Sequence, residues 1–148
     1  MNTSFRHLNL DWNAEPNAPD SRVKAHEDTV VLSFLMNSFV FKKYSEDDVG
    51  TLIFKKCRMY RLGSTNDEGW YRGQCRFSAI APKWGEFYEI VGDALLDESP
   101  KDWVMLGNPT GAQHHFLFYL RDNTFECVAD DWILAIHPHA ARAWGHAA

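Results

Sequence analysis

The sequence predicts a mainly β protein: an antiparallel sandwich or strongly curved sheet of about seven strands with one short helix. Three observations carry this. Most apolar segments alternate with period two, as half-buried strands do. One long segment folds back so that both of its arms contribute to a single dry face. Only one stretch carries a helix-start signature.

In chain order, "HLNLDW" is the first candidate strand, with Leu8, Leu10 and Trp12 expected on one face. "NAEPNAPDSRVKAHED" has two prolines and no periodicity and reads as a loop. "TVVLSFLM", residues 29–36, is dense enough in apolar side chains for a central strand, and "KKYSEDDVG" is a polar connection ending in Gly50. "TLIFKKCRMYRL", residues 51–62, reads as one strand with Leu52, Phe54, Tyr60 and Leu62 on one face, interrupted by Lys56 and Arg58. "QCRFSAIA" and "EFYEIVG" follow, separated by Pro82, Trp84 and Gly85. In "ESPKDWVML", Ser99 would cap a helix, Pro100 would take the first helical position and Asp102 the third. Gly107 and Pro109 would end it after one or two turns.

The clearest element is "HHFLFYLRDNTFECVADDWILAI". A two-residue turn at Asp122-Asn123, both tolerant of left-handed backbone, sets Leu120 against Phe125, Phe118 against Cys127, Phe116 against Ala129 and His115 against Asp130. One face is then wholly apolar, with Cys127 a small core residue, and the other carries His115, Tyr119, Arg121, Glu126 and Asp130. A single domain over residues 4–136 is expected, with 137–148 a flexible tail containing Ala and His.

With 148 residues, 45% hydrophobic and 24% charged, the chain has the composition of one soluble globular domain. Net charge is −5, and the deficit lies in residues 75–148, which hold five Lys/Arg against ten Asp/Glu. Such a chain is a poor general binder of nucleic-acid backbones and a fit partner for a basic protein. A local exception, Lys55, Lys56, Arg58, Arg61, Arg72 and Arg76, reads as solvated strand faces. The N-terminal stretch lacks the basic start and apolar core of a signal peptide, and no apolar run is long enough to span a membrane. Cys57, Cys75 and Cys127 make neither a zinc pattern nor an evident disulfide framework, so a cytoplasmic location is expected.

No cofactor or metal is expected. His114 and His115 are adjacent, so on a strand they point to opposite faces. His137 and His139 stand beside the tail, and no metal-binding motif is present. Cys57 and Cys75 fall in expected strands rather than at a helix N-terminus, where a thiolate is favoured. Carboxylate chemistry has four candidates, Asp67, Glu68, Glu86 and Glu89, which could converge if the 64–73 loop folds over the sheet.

"GSTNDEGWYRG", residues 63–73, joins two apolar runs. Its glycines, Asn66 and Asp67 are turn chemistry. The turn does not require Glu68, Trp70, Tyr71 and Arg72 on the same edge, and amphipathic aromatics beside a charge are typical of contact surfaces. Asp67, Glu68, Trp70 and Arg72 are therefore the expected partner-binding residues, with Glu86, Glu89, Asp97, Glu98, Asp130 and Asp131 steering a basic partner.

"YRLGSTNDEGW" and "HFLFYLRDNTFECVA" resemble two patterns of an uncharacterised bacterial family of small single-domain proteins, L-G-x-x-N-D-E and H-F-x-F-x-x-x-D-x-T-F-E-C. The resemblance implies a β-rich single domain and nothing about mechanism. Where related sequences carry His and Pro after the first pattern, this chain has Trp70, Tyr71 and Arg72, which argues against a His-based function. The expected function is a non-enzymatic intracellular binding protein, an immunity-type inhibitor of a basic bacterial toxin domain. The alternatives are a small hydrolase-like enzyme using Asp67 or Glu68 with Arg72, and a small-ligand carrier with aromatics at a sheet mouth.

Overall fold

The computed structural model describes residues 3–64, 81–92, 103–107 and 113–138. These form ten strands: β1 (Ser4–His7), β2 (Arg22–His26), β3 (Thr29–Leu35), β4 (Val49–Lys55), β5 (Met59–Gly63), β6 (Phe87–Val91), β7 (Val104–Met105), β8 (His114–Tyr119), β9 (Thr124–Ala129) and β10 (Asp131–His137). They pair into two antiparallel sheets, a six-stranded one in the order β1-β6-β8-β9-β5-β7 and a four-stranded one in the order β10-β4-β3-β2.

The inner faces of the two sheets pack together, which makes the arrangement sandwich-like. Val30, Leu32, Phe34, Leu52 and Phe54 of one sheet meet Phe87, Phe116, Phe118, Phe125 and Cys127 of the other in one core. The Phe54 ring lies 5.5 Å from that of Phe116 and 5.4 Å from that of Phe125, and Phe34 lies 5.4 Å from Phe118. Trp12, in the segment after β1, sits in the same layer against Phe34, Phe87, Phe118 and Trp132.

Several expectations change. About seven strands become ten among the described residues, and no helix occurs among them. Residues 51–62 are two strands in different sheets. Lys56 takes a left-handed backbone, φ 52°, and the chain crosses from the four-stranded sheet to the six-stranded one. Cys57 N–H donates to Asp28 C=O at 2.7 Å and Arg58 N–H to Val128 C=O at 2.8 Å, so the crossing is pinned on both sides. The polar interruption at Lys56 and Arg58 marks this corner. Residues 22–26, assigned to a loop, form β2, whose only large apolar side chain is Val23. "HLNLDW" is not a strand beyond His7: Trp12 is buried but Leu10 is 77% exposed. Where the helix was expected to continue, Val104 and Met105 pair with Tyr60 and Met59 as β7. Ser99, Pro100 and Asp102 lie outside the described residues.

The hairpin keeps its dry face and changes its register. Phe118 pairs with Phe125, Phe116 with Cys127 and His114 with Ala129. Leu120 N–H donates to Asn123 C=O at 2.9 Å, so the two-residue turn is Arg121-Asp122. Moving the turn by one residue shifts the pairing by two, which leaves every side chain on its expected face.

Candidate functional site

Two features of the described residues bear on function. The first is one end of the sandwich. Asn37, 7% exposed, follows β3, and its side-chain oxygen accepts the N–H groups of Phe39 and Val40, both at 3.1 Å. Its backbone N–H donates to Asn13 C=O, and Phe41 N–H returns to its own C=O. The side chain thus acts as a cap that holds a tight turn. The turn presents Phe39 and Val40 outward, 81% and 63% exposed. Leu10 lies in the neighbouring loop, which is joined to this one by Asp11 and Lys43 at 2.8 Å. That pair holds the Asp11 carboxyl below its ordinary range and the Lys43 ammonium above it, chiefly through their mutual hydrogen bond. Beside the turn is a groove of about 560 Å³ with Glu15, Lys42, Glu46 and Asp47 on its walls.

Asp67, Glu68, Trp70 and Arg72 lie outside the described residues, as does Cys75. Their described flanks belong to this same end. Gly63 pairs with Thr124, next to Asn123, which accepts from the Ser21 hydroxyl at 2.8 Å. Pro19 accepts from Leu35 N–H at 2.8 Å, just before Asn37. On the other flank, Gly85 C=O accepts from the Asn13 side chain at 2.7 Å.

The second feature lies on β8, whose adjacent histidines point to opposite faces as expected. His114 Nδ1 lies 2.7 Å from Glu89 Oε2, and the Arg6 guanidinium binds the other oxygen of Glu89. With the carboxylate ionised, Nδ1 carries the proton and donates it. Glu89 is only 8% exposed, and the three side chains rim a cavity of about 250 Å³ that Leu8, Phe116, Asp131 and Trp132 complete.

On the outer face, His115 Nε2 lies 2.8 Å from Glu126 Oε1, while Arg61 Nη1 donates to Oε2 at 2.9 Å. Glu126 is fully buried. His115 was expected opposite Asp130; its cross-strand neighbour is Val128 and its side-chain partner is Glu126. The strand shift moves Asp130 past the end of β9.

The acidic steering surface also changes. Glu89 is enclosed in its ion pairs, and Glu86 accepts from His7 at 2.9 Å and Asn9 at 2.7 Å. Asp97 and Glu98 lie outside the described residues, and Asp131 is exposed. Cys57 and Cys127 are both buried and free. Burial pushes the Cys127 thiol well above its ordinary range, whereas a hydrogen bond from Cys127 draws Cys57 down.

The sequence placed His115 and Glu126 on one face of the hairpin, but it could not show Arg61 joining them or Arg6, Glu89 and His114 meeting, because those residues lie on strands far apart in the chain. The Asn37 cap had a local signal, Asn before Ser-Phe-Val, that periodicity alone passes over. No helix among the described residues is long and apolar enough to cross a membrane. Comparison with protein-family models, with curated proteins and with solved structures found no match.

Proposed function

We propose that this chain is a non-enzymatic binding protein whose protein partner docks on the end of the sandwich that presents Phe39 and Val40. One observation carries the reading: two neighbouring large apolar side chains stand in solvent on a turn that a buried asparagine holds in place. Single exposed apolar residues are common and need no explanation. A pre-organised pair differs, because little conformational entropy is lost when a partner covers it. Asp67, Glu68, Trp70 and Arg72 stay in the proposal as partner-binding residues, and the described residues that flank them in sequence, Gly63 and Gly85, lie at this end. The net charge of −5 favours a basic partner, and an immunity-type inhibitor of a basic toxin domain fits this description.

The test compares the wild-type chain with Phe39→Ser/Val40→Ser for retention of the protein that the wild type captures in its native cells. Both side chains are exposed, so melting temperature should not change, while retention should fall at least about tenfold. Equal retention would move the contact surface elsewhere. Absence of any retained protein from the wild type would remove the binding reading.

A second reading, hydrolase-like or small-ligand chemistry, is favoured by His114. Its Nδ1 is held by Glu89 at the rim of a cavity that also offers Trp132 and Asp131. An oriented histidine of this kind can act as a general base through its other nitrogen. Turnover of small esters or phosphoesters that His114→Gln abolishes without loss of fold would support it. No turnover by the wild type would dismiss the hydrolytic form.

A further inference from the structure

Among the described residues, the four-stranded sheet ends in β2 on one side and β10 on the other. A single bond sets the direction of its backbone groups. Met36 N–H donates to Asp48 C=O at 2.9 Å, in line with the β3–β4 register. Alternation along an antiparallel strand then turns residues 50, 52 and 54 toward β3, and 49, 51, 53 and 55 toward β10. Their partners on β10 are His137, Ala135, Ile133 and Asp131. It follows that Trp132, Leu134 and Ile136 turn their N–H and C=O groups to the open side. Trp132 agrees with this, since its N–H donates to the Asp131 side chain at 2.8 Å rather than to β4. Leu134 and Ile136 bond to nothing on that side among the described residues.

Edge strands of this length and apolarity template further pairing unless charge or covering blunts them. The two edges differ in how they would pair with themselves. Antiparallel self-pairing of β2 about Lys24 would set Lys24 against the partner's Lys24, and these like charges repel. Antiparallel self-pairing of β10 about Leu134 sets Asp131 against the partner's His137, twice over by symmetry. It also sets Trp132 against the partner's Ile136, and Ile133, 50% exposed, against the partner's Ala135. The outward N–H and C=O groups of Leu134 and Ile136 and the C=O of Trp132 fall opposite their partners in this register, and the Trp132 N–H joins the ladder once Asp131 releases it to face the partner's His137.

We propose that β10 is a homodimer interface: two copies of this chain join their four-stranded sheets through antiparallel β10 strands, with the two-fold axis at Leu134. The occupant is a second copy because the edge is complementary to itself: its outward backbone groups pair with their own copies, and Asp131 faces a hydrogen-bonding partner in the partner's His137. This proposal does not depend on the docking end proposed above. It places the partner's His137 beside Asp131, on the wall of the cavity rimmed by Glu89 and His114.

Light scattering and sedimentation of the full chain over a dilution series test it. The expected species has twice the 17.1 kDa monomer mass and dissociates on dilution. His137→Asp sets carboxylates face to face and should weaken the dimer at least about tenfold. Adding Asp131→His to that variant restores the pair with its charges exchanged and should recover the dimer. Ile133→Lys with Ala135→Lys, both on the outer face, should yield a monomer that melts as a folded protein. A wild type that stays monomeric at every concentration overturns the proposal, as does a dimer of unchanged affinity in His137→Asp and Ile133→Lys/Ala135→Lys.

Discussion

Tyr88 and Glu126 each resolve a polar atom inside the fold, by different means. The Tyr88 hydroxyl donates to Lys83 C=O at 3.1 Å, and burial, then the Glu86 carboxylate, pushes its pKa up to about 12. An unfolded tyrosine titrates near its ordinary value of about 10. The folded chain therefore holds this proton more tightly, and the resulting stability is present below about pH 10 and lost as pH rises through about 12. Tyr88→Phe cannot ionise, so its stability relative to wild type should rise across that window in denaturant melts. A difference that stays flat would place the phenol at its ordinary pKa. Glu126 instead has both of its carboxyl oxygens engaged, one by Arg61 and the other by His115. Arg61→Met strips one partner from a fully buried carboxylate and should cost about 3–5 kcal/mol in chemical denaturation. Adding Glu126→Gln should recover part of that loss. At this scale the sequence told that His114 and His115 face apart. The hairpin pattern put Glu126 on the face of His115, but which side chain each histidine meets, and that Glu89 of β6 meets His114, depends on register and on strand order.

At the scale of elements, face was legible and register was not. Alternation from Phe116 to Leu120 and from Phe125 to Ala129 assigns the dry face whichever residues form the turn. The turn itself was decided by neighbours: Arg121 donates to Asn17 C=O at 3.0 Å and Asn123 accepts from Ser21, which seats both arms of the hairpin against the 17–21 loop. The long segment 51–62 likewise showed its apolar positions but not its division between two sheets. Within β4, Gly50 lies under Phe34 and Met36; a methyl group there would come within 2.9 Å of the Phe34 ring and closer still to the Met36 sulfur. Gly50→Ala is expected to destabilise by about 1–3 kcal/mol through overpacking, measured by thermal or urea unfolding. A neutral effect would mean that Met36 moves aside freely.

For the whole molecule, the two sheets share one large aromatic core, while Tyr88, Ile90, Leu117 and Tyr119 form a second, smaller cluster on the other face of the six-stranded sheet. Unfolding monitored by backbone dichroism and by tryptophan fluorescence should give coincident transitions. Phe118 is fully buried among Trp12, Phe34 and Phe87, which come from three separate parts of the chain. Phe118→Ala should lower stability by about 3–5 kcal/mol, the cost of a cavity between the sheets, and both probes should shift together. A loss below about 1 kcal/mol would place Phe118 outside the shared core.

The sequence by itself determined the class of fold and the inward faces of its clearest strands, because a period-two alternation of side chains is written residue by residue along the chain. It also carried the polar break at Lys56 and Arg58, though not its meaning. Only the tertiary structure decided that this break is a corner between sheets, that Glu89 and Glu126 each gather an arginine and a histidine, and that β10 ends its sheet with its hydrogen-bonding groups turned outward. Those outcomes depend on pairings between strands distant in sequence, whose register and order are chosen by the packing of the common core.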